Sequence, residues 1–324
     1  MTFSVNALVE KMTLQEGGYY LLKIDNQQDL IDFFCPFKRN FEKVIETKSE
    51  MNNRYIKNLI FRGMSNSEYE LISSLYRDKK ESFDHADTQL QEYFILRDFI
   101  NACDSTGTII PNDSVAWRKL FEDEKHIKRM VKEQANWASI SELYELIGFA
   151  QHYGVPTRFL DWSYHPLVAL YFASIEVIDK IFNMIHKNED IDFNNLFMSI
   201  WIYADSNVVP EVQVIDLPKA TNSHISFQKG CFTCVTQPIN KLNLSQDESK
   251  TLSFLTINDV LKDKSLENNL LKVDIPYALA IDIYSYCDEY NFNGATLFRG
   301  PHGSAKYTIE KLRFKKVKYF LKNK

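Results

Sequence analysis

Nowhere in its 324 residues does the chain hold an apolar run approaching the roughly 18 residues of a membrane span. Met1 to Gly18 also lacks the basic-then-apolar pattern of a signal segment. These absences lead us to expect a soluble, cytoplasmic protein with no membrane partner. Basic charge is not in excess either: the formal net charge is -5. There is thus no general field to drive non-specific nucleic-acid binding, and only a local patch remains open. Cysteine is scarce, with five residues at 35, 103, 231, 234 and 287. An odd count at mostly wide spacing is not the framework of a secreted disulfide domain and fits a reducing compartment. The close pair is Cys231-Phe-Thr-Cys234, and no second pair or histidine follows at ligand spacing, so no metal is expected. On a strand, positions three apart point to opposite faces.

Several familiar catalytic signatures are missing. There is no serine-hydrolase elbow, no Gly-x-x-x-x-Gly-Lys phosphate loop, no Gly-x-Gly-x-x-Gly fingerprint and no His-Glu-x-x-His zinc site. No motif positions a histidine beside a cysteine nucleophile. What is present is a globular composition, 45% hydrophobic and 25% charged, enough for one large domain or two modest ones.

Strand-like runs occur at 19-24, 57-62, 157-160, 197-203, 229-236 and 270-275. Asp25 or Asn26 is placed to cap a helix that Pro36 ends. Apolar positions at three-and-four spacing, including Leu90, Phe94, Phe99, Trp117, Leu120, Phe121, Leu143 and Leu146, predict helices between about 80 and 150. The last of these ends at Gln151 and His152, where Gly154 can close it and Pro156 prevents continuation. Ser163 or His165 with Pro166 opens a second, almost wholly apolar helix that should be buried. A charged, Asn-rich connector is expected over 179-195. Tyr277 to Tyr290 reads as a helix closed by Gly294, and a basic helix is expected from about Lys306. Phe61-Arg62-Gly63 and Phe298-Arg299-Gly300 share three letters in different contexts, and the echo is read as coincidence.

The densest chemistry lies in Gly148 to Ser163, which packs amide, imidazole, guanidinium, carboxylate, indole and hydroxyl groups into sixteen positions. A segment needed only for folding carries few such groups, because each buried one must find a partner. Arg62 ends an apolar strand and needs an anionic partner: an internal carboxylate such as Asp161, or the phosphate or carboxylate of a ligand. Gly63 allows close approach by backbone or ligand. Arg62, Arg158, the Ser163 hydroxyl and a helix start would together hold a pyrophosphate, while Tyr153 and Trp162 could stack a planar ring. His152 is a general acid or base by its ordinary pKa, or a structural histidine. Asp161 is a site carboxylate, or the partner of Arg62 or Arg158. Gln151, Thr157 and Gln228, the last on the 225-235 strand, complete the set.

Phe61-Arg62-Gly63, Gln151-His152-Tyr153-Gly154-Val155-Pro156-Thr157-Arg158-Phe159-Leu160-Asp161-Trp162-Ser163 and Ala169-Leu170-Tyr171-Phe172-Ala173 resemble the FRG domain. Gln228-x-Gly230-x-Phe232 is similar to a later motif of that family, and the likeness runs from about Tyr19 to Val235. It implies an accessory protein of bacteria or phages, active in conflict between them. A weaker resemblance is to ADP-ribosyltransferases of the Arg-Ser-Glu type, through Arg62-Gly63, Ser163 with the helix Val168 to Ala173, and the Gln228 segment. It implies NAD as a substrate, with a protein or nucleic acid as acceptor. Where those enzymes carry a catalytic glutamate this chain has Gln228-Lys229-Gly230, so the carboxylate would have to come from Asp161, or its work be done by His152.

The expectation is therefore an α+β protein: a central mixed or antiparallel sheet with a helical insertion at about 80-150 and a C-terminal helical segment. An FRG-like domain would occupy 1-240, and 241-324 would form a helical extension packed on the same sheet. Arg62, His152, Asp161 and Ser163 are the candidate catalytic residues. Arg62, Gly63, Gln151, Thr157, Arg158, Trp162 and Gln228 are the candidate binding residues for a nucleotide such as NAD. The alternative is a non-catalytic sensor or interaction module in which the same groups form a structural network.

Overall fold

The computed structural model describes residues 4-50, 56-77, 85-119, 143-189, 192-193, 195-206, 208-219, 223-236 and 255-323. Leu120 and Phe121, most of the 120-150 part of the helical insertion, and the domain boundary placed at 240 lie outside these residues. In chain order the elements begin with α1 (Val5–Lys11), β1 (Thr13–Gln15), β2 (Tyr19–Lys23), α2 (Gln27–Phe34), α3 (Asn40–Glu50) and β3 (Asn58–Met64). There follow α4 (His85–Thr106), α5 (Val115–Arg118), α6 (Tyr144–His152), β4 (Leu160–Ser163), α7 (Pro166–His186), β5 (Phe197–Asp205) and β6 (Val212–Ile215). The last part holds α8 (Ser223–Phe227), β7 (Gly230–Val235), α9 (Ile257–Asp263), β8 (Leu270–Pro276), α10 (Ala280–Glu289), α11 (Gly294–Phe298) and α12 (Gly300–Lys322).

The strands form one eight-stranded sheet in the order β1-β2-β8-β5-β3-β4-β7-β6. Only β2 and β8 run parallel; every other neighbouring pair is antiparallel. This is the expected α+β architecture with a mixed sheet. β5 lies at its centre and is buried from its second residue to its last, as a strand covered on both faces must be. Its partners are β3, with Phe61 opposite Ile202, and β8, with Ile200 opposite Val273.

One face of the sheet packs on α7, whose residues Leu167, Val168, Leu170, Tyr171, Val177 and Ile178 are buried, as its apolar sequence requires. The opposite face holds Ile60, Trp162, Trp201, Tyr203 and Leu270 beneath α9. A smaller cluster joins Tyr93 and Leu96 of α4 and Leu146 and Ile147 of α6 to Phe159 and Phe232. Cys231 and Cys234 fall in different clusters, on opposite faces of β7. Burial pushes both thiols up, that of Cys234 to about 11.

Caps set the helix starts. Asn26 Oδ1 accepts from Asp29 N at 2.8 Å, and Thr256 with Asp259 forms a reciprocal capping box. His165 caps α7, its Nδ1 accepting from Leu167 N at 3.2 Å.

Several boundaries differ from expectation. β4 begins at Leu160, not Thr157, because Thr157 and Arg158 are held in a loop by Ser74 and Glu92; Asp161, Trp162 and Ser163 are thereby on the strand. Ile225 and Ser226 belong to helix α8, so Gln228 lies in the turn before β7 and not on a strand. α7 continues to His186, which shortens the connector. Gly294 starts α11 rather than closing α10; its amide donates to buried Glu310 at 3.1 Å, and a Cβ there would stand 2.8 Å from that carboxylate. α12 starts at Gly300, one turn and more before Lys306.

Candidate functional site

β3 and β4 are neighbours in the sheet, yet they pair at one position only, Phe61 opposite Ser163. Continuing that register would set Arg62 opposite Trp162 and Gly63 opposite Asp161, and these pairs are not formed. The strands splay, and Arg62 Nη1 donates to the main-chain oxygen of Asp161 at 2.6 Å, taking an acceptor that a ladder amide would otherwise meet. A cavity of 360 Å³ lies at the splay. β3 lines it with Phe61, Arg62 and Gly63, and β4 with Asp161, Trp162 and Ser163. His152 at the end of α6, Gln228 and Phe298 complete the wall with one face of α7.

The polar groups are linked. Thr157 Oγ1 donates to Gln151 Oε1, Gln151 Nε2 donates to Asp161 Oδ1 at 2.7 Å, and Asp161 Oδ2 lies 3.7 Å from Arg62 Nη1. Asp161 keeps most of its side chain exposed, whereas Arg62 is largely enclosed and its buried Nε has no hydrogen-bond partner among the described residues. Burial holds the Arg62 guanidinium below its usual value, against the opposing pull of Asp161 and Glu176.

Other expected residues behave differently. Ser163 is buried, its hydroxyl donating to Gln228 O at 2.7 Å and accepting from His165 N at 3.1 Å. Trp162 is buried and its indole donates to Thr233 Oγ1 at 2.8 Å, so its ring is packed in the core and not offered for stacking. Tyr153 is exposed beside His152, outside the cavity. Gln151 and Thr157 support Asp161 from behind rather than lining the cavity. Gln228 lines it, and its amide donates to Leu297 O at 3.5 Å. Gly63 is required by backbone packing: a Cβ would lie 1.9 Å from Ala169 O of α7.

Arg158 leaves the site altogether. Its side chain and that of Glu92 on α4 are 2% and 0% exposed, joined by Nε to Oε2 at 2.5 Å, while Arg158 N donates to Glu92 Oε1 at 2.9 Å. Burial works against the Arg158 charge, but Glu92 outweighs it and the guanidinium sits above its usual value. The start of α7 is likewise closed by its own His165 cap. The pyrophosphate cradle expected from two arginines and a helix start is therefore not assembled here.

Sequence reasoning missed Glu176. With Val168, Ala169 and Phe172 it forms the α7 face that lines the cavity, at the four-residue spacing of one helix side. The signal was legible: from Pro166 to Ile178 it is the single charged residue. A larger groove, 780 Å³, lies between the ends of α7 and α12 and is lined by Phe182, Ile185, Leu312 and Phe320 among others. It holds none of the groups that converge at the splay, so the chemistry belongs to the smaller cleft.

The parting of β3 from β4 thus forms a cleft lined by an arginine and two carboxylates in an α+β domain. Residues 57–180, which carry β3, β4 and most of α7, match the FRG domain. The matched segment is shorter than the 19-235 span of the resemblance. No curated protein and no solved structure matches the chain. Among the described residues no helix is long and apolar enough to cross a membrane, and no group of three or more His, Cys, Asp or Glu side chains is placed to hold a metal ion.

Proposed function

We propose that the β3–β4 cleft binds a nucleotide of the NAD class and supports cleavage of its N-glycosidic bond, as an ADP-ribosyltransferase or NAD glycohydrolase does. One observation carries this reading: Arg62 lines a 360 Å³ cavity together with Asp161, Glu176 and His152. That volume is at the low end of the roughly 300–1,000 Å³ of small-molecule sites, suited to the base and ribose of a nucleotide whose remainder extends outward. When the base departs, the anomeric carbon gains positive charge, and a carboxylate aimed at it stabilises that charge. Asp161 and Glu176 are the candidates, with Glu176 supplying the group absent at Gly230. His152 at the cavity wall would take the proton of the acceptor, whether water, protein or nucleic acid.

The test is titration calorimetry with NAD, together with chromatographic assay of released nicotinamide in the presence of cell lysate. Wild-type protein should bind and turn over NAD, and Glu176→Gln or Asp161→Asn should bind it and fail to turn it over. Absence of both binding and turnover in the wild type refutes the reading. A second reading, an interaction module, is favoured by the chain from Thr157 through Gln151 and Asp161 to Arg62, which already satisfies many of these groups internally. It predicts that Arg62→Ala lowers the melting temperature and that no ligand restores it.

A further inference from the structure

The second Phe-Arg-Gly, at residues 298-300, stands at the same cleft as the first. Phe298 lines the cavity with Phe61, Arg62 and Gly63. Arg299 follows it at the break between α11 and α12, with φ 44° and ψ 169°, and Gly300 has φ 64°. Such backbone is unfavourable for a residue with a side chain and persists only where its surroundings impose it. The guanidinium carbon of Arg299 lies 3.4 Å from the centre of the Phe227 ring, and the next residue, Gln228, is a cavity residue bonded to Leu297 O. Lys229 comes next, also at positive φ, 47°. Arg299 and Lys229 are exposed, and neither has an ion-pair partner among the described residues.

The cleft is therefore polarised. Its lining sets two exposed carboxylates, Asp161 and Glu176, against the largely enclosed guanidinium of Arg62, while two exposed cations, Lys229 and Arg299, directly follow the lining residues Gln228 and Phe298 in a chain of net charge -5. Phosphates are repelled by the first and drawn to the second. Stacking on Phe227 holds one face of the Arg299 guanidinium and leaves its in-plane N–H groups free for a bidentate oxyanion.

Resting on the nucleotide reading above, we propose that Arg299, with Lys229 beside it, is the phosphate subsite of this cleft. The ligand is then a nucleotide with at least two phosphates, bound with these on Arg299 and its cationic or neutral base against Asp161 and Glu176. Arg299 takes the part that Arg158, buried with Glu92, does not play.

Arg299→Gly tests this, because glycine adopts the observed backbone without penalty and the fold should keep or gain thermal stability. NAD, ADP and the phosphate-free nicotinamide riboside are titrated by calorimetry into wild type and variant. The expected result is that NAD and ADP bind about tenfold or more weakly to the variant while the riboside is unaffected. Their affinity should also lose much of its dependence on salt. If wild type binds NAD and the variant binds it equally well, the phosphate subsite is refuted and the nucleotide reading stands. Equal weakening of NAD and the riboside also refutes it, since Arg299 would then act through cleft shape. If wild type binds none of the three, the nucleotide reading fails first. Arg299→Lys, which keeps the charge, should recover part of the NAD affinity, and failure to do so in a folded variant counts against the subsite.

Discussion

Substituting Glu92 separates a structural Arg158 from one that meets a ligand. Glu92 and Arg158 have no access to water, so removing the carboxylate strands a guanidinium in the interior. Breaking such a pair costs about 3–5 kcal/mol. Glu92→Gln retains a side-chain carbonyl for the amide of residue 158, now satisfied by Glu92 Oε1 at 2.9 Å, and so preserves a bond of about 1 kcal/mol. The expected loss is therefore at the lower end, about 3 kcal/mol. With an m-value of about 3 kcal/mol/M, that moves the urea midpoint down by about 1 M, followed by tryptophan fluorescence. Arg158→Met should lose a similar amount by leaving Glu92 unpaired. The double variant should lie much closer to wild type than the sum of the two, because no buried charge remains. Single variants with unchanged midpoints, or a double variant at the full sum, would refute the pairing argument. Folded Arg158→Met that has lost nucleotide binding would return Arg158 to the site.

Two further outcomes follow from the cleft and its helix. Burial, aided by Lys229, lowers the His165 pKa from 6.5 to about 4, so the folded protein holds this helix cap neutral while the unfolded chain protonates near pH 6.5. Its contribution is present above that pH and lost as pH falls from 6.5 toward 4, by about 1–2 kcal/mol once partial exposure is allowed for. His165→Asn, which keeps a capping acceptor, should flatten this part of the melting-temperature profile; a parallel decline in both proteins would overturn the assignment. Gly63→Ala should destabilise by about 3 kcal/mol or more, since its Cβ meets Ala169 backbone at 1.9 Å. Gly230→Ala, whose nearest contact is an Ile225 methyl at 3.3 Å, should cost less than about 1 kcal/mol in the same urea experiment.

Much of the sheet was legible because β2, β3, β5, β7 and β8 are rich in aromatic, β-branched and other apolar residues, the composition that strands favour. β1 and β6 were not: Thr13-Leu14-Gln15 and Val212-Gln213-Val214-Ile215 are short edge strands, stabilised by their neighbours more than by their own composition. Thr157 and Arg158 looked like strand because β-branched and apolar residues surround them, whereas tertiary bonds to Ser74 and Glu92 decide their conformation. The meeting of Arg62 with Asp161 and His152 was readable from residue type. Arg158's diversion was not, because its partner Glu92 sits among the many charges of α4 with nothing local to mark it. Phe298 reaches the cavity through a fold-back of the last quarter of the chain, which spacing alone does not reveal.

The position of β8 bears on how the protein is made. Tyr20 of β2 pairs with Leu271 and Tyr203 of β5 with Leu270, so one late strand closes two early edges. While the ribosome is still adding residues beyond 205, β2 and β5 both present open hydrogen-bonding edges to the surrounding solution. Open apolar edges are where nascent chains mispair, and contacts so distant in sequence form slowly. Both edges thus stay open until residues 270-276 emerge, and a truncation before them is expected to aggregate rather than to give a smaller folded protein.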